Sequence, residues 1–256
     1  MVFYFTATGN SLYVAKQLEA RPISIPQAIH RESLTFRDKT IGIVCPVYGH
    51  EVPPMVREFL QKARFETDYF YLLLTYGNRH GGAAELAEKR LESCGISPAY
   101  INTVLMVDNF LPAFDMNEQR TLDKNVEGQL GAIKEDIAQR RRFVSPVTDA
   151  DRAAHQEFLS RSSTPPEERW KNIYRVTGAC IGCGICQKVC PSGCWEVSGG
   201  TARYRPEGCQ CCMACIHACP QKAIRMTIPE KNPDARYRNE HISLQEMIQA
   251  NTQRTE

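Results

Sequence analysis

Eight cysteines in the last third of the chain decide what that third can become. They fall into two copies of one spacing, Cys180, Cys183, Cys186, Cys190-Pro191 and Cys209, Cys212, Cys215, Cys219-Pro220, and each position of the first copy recurs 29 residues later. Tyr174-x-Val176 maps loosely onto Tyr204 in the same way, so the segment is an internal duplication. Three cysteines at two-residue intervals can wrap a loop over three corners of a metal centre. The fourth, followed by a proline that turns the chain away, leaves one corner to be filled from elsewhere. Zinc sites also use CxxC, but they take two pairs per ion, and a tight triplet plus one Cys-Pro does not divide that way. The spacing points to iron-sulfur chemistry, with zinc as the competing expectation.

The run C-x-x-C-x-x-C-x-x-x-C-P resembles that of bacterial ferredoxins carrying two 4Fe-4S clusters. The resemblance implies that the fourth cysteine of each run serves the other cluster. That assigns Cys180, Cys183, Cys186 and Cys219 to one cluster and Cys209, Cys212, Cys215 and Cys190 to the second. Of 12 cysteines, four lie outside this set. Cys194 aligns with Ala223 and is expected to fill a small buried position. Cys211 aligns with Gly182 inside a ligand loop and is expected to be a bystander. Cys45 ends a core strand and Cys94 a helix, both in structural positions. None suggests a disulfide framework.

At the front, Val2-Phe3-Tyr4-Phe5 suits a buried parallel strand. Thr6-Ala7-Thr8-Gly9-Asn10-Ser11 follows, and then Leu12, Val14, Ala15 and Leu18 at helical spacing. A hydroxyl-rich turn between strand and helix gathers N–H groups and hydroxyls at the positive end of a helix dipole, which suits a phosphate. With no lysine and no G-x-G-x-x-G, the turn is neither a Walker loop nor a dinucleotide fingerprint; an ordinary helix cap is the alternative. Strand and helix signals then alternate. Strands are expected at Ile23–Ile25, Ile41–Cys45, Tyr69–Leu74 and Ile101–Val107, with helices from Pro53 through Leu60 and near Ala83 to Ser93. A long amphipathic helix would place Leu122, Val126, Leu130, Ile133 and Ile137 on one face. Five strands alternating with helices make an α/β doubly wound parallel sheet.

The T-x-T-G-N-S turn resembles the FMN-phosphate loop of flavodoxins, which implies strand order 2-1-3-4-5 and a ligand at the switch point beyond the strand ends. By that resemblance Thr6, Thr8, Gly9, Asn10 and Ser11 hold the phosphate. Pro46, Val47, Tyr48 and Gly49, with Thr75, Tyr76, Gly77, Asn78, Gly81 and Gly82, hold the isoalloxazine ring, Tyr48 and Tyr76 flanking it. The third loop departs from a typical flavodoxin: Arg79 and His80 are positive where that family is commonly acidic. T-x-G-N-x-x-G-G is more similar to flavodoxin-fold reductases and iron-sulfur flavoproteins. Arg79 is the candidate for stabilising the reduced flavin, and a solvated loop cation is its alternative.

The whole chain resembles fused flavodoxin-like and two-cluster ferredoxin proteins of anaerobes. The expected architecture is a flavodoxin-like domain over residues 1–144, a linker over 145–170 with a short helix near Asp151 to Leu159, a small α+β ferredoxin domain over 171–228, and a tail over 229–256 that wraps back or frays. Residues 108–116 are too apolar for a tether. The resemblance implies FMN, two 4Fe-4S clusters and electron transfer to a redox partner protein. The alternative is a reductase of a small-molecule acceptor, with His50, His80 or Tyr48 as proton donors; the sequence leaves open whether the chain is an enzyme and whether it forms a dimer. A net charge of +2 gives no pull toward nucleic acid. From Arg169 to Ile228, eight Lys and Arg against Glu196 and Glu207 are expected to offset cluster charge rather than form a docking patch. His217 is expected to be exposed. A thiol-rich chain with no leader before Val2 and no apolar run near the ~20 residues a membrane span needs is expected in the reducing cytoplasm.

Overall fold

A computed structural model describes residues 1–161 and 172–253. Its centre is a six-stranded parallel sheet in the order β2-β1-β4-β6-β7-β8, formed by Ile23–Ser24, Val2–Tyr4, Thr40–Pro46, Tyr69–Tyr76, Tyr100–Leu105 and Phe143–Val144. The first five keep the expected 2-1-3-4-5 order, and Phe143–Val144 adds a short sixth at the edge beside Tyr100 and Ile101. Central strands covered on both faces read as continuous apolar runs. Leu72, Leu73 and Leu74 of β6 are fully buried, worth roughly 1.5–3 kcal/mol each against exposure. Helices α1 (Asn10–Leu18), α3 (Pro54–Lys62), α4 (Ala83–Ser93) and α6 (Val126–Ala138) cover the sheet. A two-stranded parallel pair, β3 (Thr35–Arg37) with β5 (Arg64–Glu66), was not legible in the pattern. It carries Phe36 and Phe65 into an aromatic cluster with Phe3 and Phe59.

The expected long helix starts four residues later than the apolar spacing suggests. Asn125 adopts φ 47°, and Asp123 accepts the Asn125 N–H, so a turn stops the helix short of Leu122, which is 47% exposed.

Residues 172–226 form a second core, and each cysteine run lies in one β-loop-α-β unit. The first is Tyr174–Val176, Ile185–Lys188 and Trp195–Ser198; the second is Thr201–Tyr204, Ala214–Ala218 and Ile224–Met226. The outer strands of the two units pair antiparallel, Ile224 on Val176 and Met226 on Tyr174. The inner strands form a hairpin, Trp195 on Tyr204. The duplication read from the cysteines is therefore a duplication of structure.

The tail wraps. Ile242, Met247 and Ala250 join the main core, and the helix Leu244–Asn251 is opened by a Ser243/Glu246 capping box. The stretch expected as a linker contains α7 (Asp149–Ser160), which packs over the sheet's C-terminal edge instead of tethering. Pro165, Pro166, Arg169 and Trp170 lie outside the described residues. Among those described, no helix is long and apolar enough to cross a membrane.

Candidate functional site: a crevice and two cysteine nests

The turns leaving β1, β4 and β6 converge, as a doubly wound sheet requires at its switch point. They line a cavity of about 620 Å3. Its walls include Thr6, Thr8, Asn10 and Ser11, then Pro46 to Gly49, then Thr75 to Arg79. Gly9, Gly81 and Gly82 are not on the wall. Gly9 shapes the turn from behind with φ +101°, a side chain there meeting Asn239 at 3.0 Å. Gly81 packs against the back of the His50 ring and Gly82 opens α4.

Helix α1 begins at this cavity with no side-chain cap, leaving its first N–H groups facing inward. Thr6, Thr8 and Ser11 are buried. The Ser11 hydroxyl lies 2.8 Å from that of Thr75, and Asn109 donates to Thr8 at 2.7 Å. Asn10 is committed to partners within the fold: it donates to the Val107 carbonyl and accepts from Tyr237 at 2.7 Å and Asn239 at 3.2 Å. The Asn239 N–H also donates to the Thr8 carbonyl. The tail thus clamps the hydroxyl-rich loop, a partnership that lies more than 220 residues away in sequence.

Val107, Asp108, Asn109, Phe110 and Phe114 form another wall, while Leu111 and Met116 sink into the second core. The apolar 108–116 stretch therefore lines the crevice and packs into the second core, not acting as a tether. Helix α7 closes the top with His155, Glu157 and Phe158. His50 Nδ1 and His155 Nδ1 lie 3.4 Å apart, so one holds the proton between them. Burial first, then His155 and the Arg79 cation, bring His50 down to about 4. Arg79 is exposed at the cavity edge. His80 faces α7, its Nε2 3.9 Å from Asp151, with Tyr76 edge-on against it.

The cavity's last wall is Cys209, Gln210, Cys211, Cys212 and Met213, the loop of the second cysteine run. The Gln210 side-chain oxygen, Oε1, accepts the Met55 N–H at 2.8 Å and ties this loop to the start of α3. Cys211, expected to be a bystander among the ligands, lines the cavity, and it holds φ +50° where its repeat mate Gly182 has +66°.

The thiols fall into two nests. Cys180, Cys183, Cys186 and Cys219 line one separate cavity. Cys186 is pushed up by burial and then by Cys219, Cys183 and Cys180. Cys212 is pushed up by burial and then by Cys190 and Cys209, and Cys215 by burial and then by Cys212, Cys190 and Cys209. Each nest thus takes its fourth thiol from the other run. Backbone N–H groups point at sulfur: Cys194 to Cys190 and Ala223 to Cys219, repeat mates, both at 3.2 Å, and Ala202 to Cys180 and Cys211 to Cys209, both at 3.4 Å. Such donors stabilise thiolate, and those of Gly182 and Ala202 hold Cys180 below the usual thiol range. Thiol donation from Cys194 and Cys211 does the same for Cys209. A four-thiolate nest with N–H donors to sulfur suits an iron-sulfur cluster. Among the described residues no three His, Cys, Asp or Glu close on a single ion.

His217 is buried, not exposed as expected. Its Nδ1 accepts the Tyr237 N–H at 3.0 Å, which leaves Nε2 to donate to the Asn109 carbonyl at 2.9 Å. The ring pins the cysteine module to the crevice wall and the tail.

Residues 173–196 match a family signature described as a 4Fe-4S binding domain. That match covers the first cysteine run. Among curated proteins, the chain is 47% identical over 47 residues to a component of the ion-translocating oxidoreductase complex of Methanosarcina acetivorans, covering 18% of each chain. It is 35% identical over 77 residues to an Escherichia coli protein named provisionally as the electron transport protein YsaA, 28% of this chain and 49% of that one. It is 29% identical over 105 residues to NADH-quinone oxidoreductase subunit I 2 of Geobacter metallireducens, 36% of this chain and 75% of that one. The chain thus spans less than half the length of the first two relatives. A solved structure titled as a flavoprotein of Bacteroides uniformis aligns with 41% of this chain and 88% of its own, at 15% identity and a TM-score of 0.32.

Proposed function

We propose that the chain is an electron-transfer protein. Two 4Fe-4S clusters, one on Cys180, Cys183, Cys186 and Cys219 and one on Cys190, Cys209, Cys212 and Cys215, exchange electrons with FMN in the crevice. Residues 1–144 form the flavin domain and 171–228 the cluster domain, joined through 145–170 and clamped by 229–256. The observation that carries this reading is the single cavity whose walls include both the hydroxyl-rich and aromatic loops and the cysteine loop Cys209 to Met213.

When bound, the clusters supply one-electron steps and FMN a centre that accepts two electrons singly. The chain's residues do the positioning. The uncapped start of α1, with Thr6, Thr8 and Ser11, binds the phosphate. Tyr48 and Tyr76 stand on the loops that receive the ring, and the Gln210 bond to Met55 holds the cysteine loop against them. Exposed Cys183, beside Ile181 at 62% exposure, gives an outside partner its approach. Holding both modules in one chain replaces a diffusional encounter by a high effective concentration. The 4Fe-4S match and the oxidoreductase and electron-transport names of the relatives support the reading.

The test is anaerobic purification with iron, sulfide and flavin quantification, then a redox titration followed by EPR and visible absorbance. Two cluster signals and stoichiometric FMN are expected; iron without flavin removes the crevice assignment, and zinc in place of iron removes the rest. The His50–His155 pair on the wall favours a second reading, a reductase of a small acceptor, because a cavity of this size suits small ligands and the pair can hold a proton there. His50→Gln would then slow turnover of that acceptor while leaving flavin reduction through the clusters intact.

A further inference from the structure

Among the described residues, the hydroxyls of Tyr48, Tyr174 and Tyr204 are buried and make no well-formed hydrogen bond. Leaving such a group unbonded costs about 1–3 kcal/mol, and native interiors tolerate few of them. These three come from separate elements: the turn after β4, the strand Tyr174–Val176 and the end of the strand Thr201–Tyr204. They gather at one place. Tyr174 and Tyr204 meet edge to face at 5.3 Å in the second core, which holds thiols of both nests. Tyr48 shares a cavity wall with Cys209, Cys211 and Cys212. All three hydroxyls are raised first by burial. Cys212 then adds most for Tyr48, Cys215 for Tyr174 and Cys209 for Tyr204. Tyr204 and Cys209 act on each other, the sulfur raising the phenol and the phenol lowering the thiol. Among the described residues no tyrosine lines the other nest.

A phenol can donate, and sulfur of a metal-bound thiolate or sulfide can only accept. Hydrogen bonds to sulfur are among the terms that set a cluster's potential, because they favour the more negative, reduced form. We propose that Tyr48, Tyr174 and Tyr204 donate to sulfur atoms of the cluster on Cys190, Cys209, Cys212 and Cys215, placing it above its twin in reduction potential. This rests on the two-cluster reading. Electrons then run downhill from the exposed nest to the crevice, one at a time, with no bond made or broken.

The test uses anaerobically purified holoprotein, wild type and Tyr48→Phe, Tyr174→Phe, Tyr204→Phe and triple variants, in EPR-monitored redox titrations. Cys183→Ser, which perturbs the exposed nest, assigns the signals. Each phenylalanine should shift the oxidised-to-reduced ratio of the buried cluster about threefold toward oxidised at fixed potential. The triple variant should shift it about 27-fold, ~85 mV for one electron. The Cys183-side cluster should not move. Resonance Raman of the wild type should show Fe–S stretches shifted by exchange into D2O, a readout that needs no variant. Unmoved potentials with no isotope shift, or equal shifts in both clusters, overturn the proposal alone. Wild-type protein free of iron and sulfide overturns the cluster reading and the proposal with it.

Discussion

The two cysteine nests are copies in sequence and opposites in setting. The nest of Cys180, Cys183, Cys186 and Cys219 stands at the surface, with Cys183 exposed and Ile181 beside it. The nest of Cys190, Cys209, Cys212 and Cys215 lies inside. Cys190, Cys212 and Cys215 are buried, three phenols and two spare thiols surround it, and its loop is a wall of the crevice. Even the backbone differs. Gly182 and Gly184 take left-handed φ in the first loop, while Cys211 and Met213 take the same φ in the second. A non-glycine residue there costs of order 1 kcal/mol or more and persists where its surroundings over-determine it. The difference teaches that one repeat is left bare at the surface, whereas the other is dressed to face the rest of its own chain.

The comparison breaks most visibly by removing one ligand from each nest. Cys215→Ser should lose about half the iron and sulfide and destabilise the cysteine module by several kcal/mol, on the order expected when a metal centre is lost from a small domain. Cys183→Ser, at the exposed nest, should leave the buried cluster's signal in place, as metal analysis and thermal unfolding would reveal. Next comes Gly182→Ala. Its methyl would sit 2.6 Å from the Gly200 carbonyl oxygen at φ +66°, so a loss of about 2–3 kcal/mol in denaturant unfolding is expected.

A smaller effect concerns the crevice wall opposite the buried nest. His50 is depressed to about 4 in the folded protein, against an ordinary value near 6.5. Its contribution is fully present above pH 6.5. As pH falls toward 4 the unfolded chain takes up the proton first, so that stability is lost. With the ring only partly shielded, the loss should be no more than about 1–2 kcal/mol. His50→Gln should flatten that part of the stability-against-pH curve, and an unchanged slope would assign it elsewhere. Least of all, Cys211→Gly should relieve the left-handed backbone and stabilise the fold by about 0.5 kcal/mol, the reverse of the sign at Gly182. Equal signs at the two positions would mean that the loops are not equivalent.

Much of this was legible from the chain alone where chemistry is local. The strand β6, the helix Ala83–Ser93 and the three converging turns follow from apolar runs, helical periodicity and Gly-rich loops within a few residues. Leu122 was misread because its spacing fits a helix, while the turn at Asp123 and Asn125 ends it. Phe143–Val144 has two residues and no periodicity to reveal it; pairing with Tyr100 and Ile101 makes it a strand. Helix α7 carried a fair local signal, the Thr148/Asp151 capping box. Nothing local placed it over the crevice. The exposed reading of His217 failed because that residue was judged by its own loop, while its burial is decided by Asn109 and Tyr237.

Sequence by itself determined the two cysteine runs, the hydroxyl-rich turn and the alternation of strands with helices, because spacing and short-range periodicity encode loops, turns and the faces of elements. Tertiary structure alone decided which nest borders the crevice, where the three phenols gather and how the tail seals the turn through Tyr237 and Asn239. Those relations join residues up to about 230 positions apart. No local pattern records them, since they exist only once the two cores have packed and the polar groups between them have been forced to find partners.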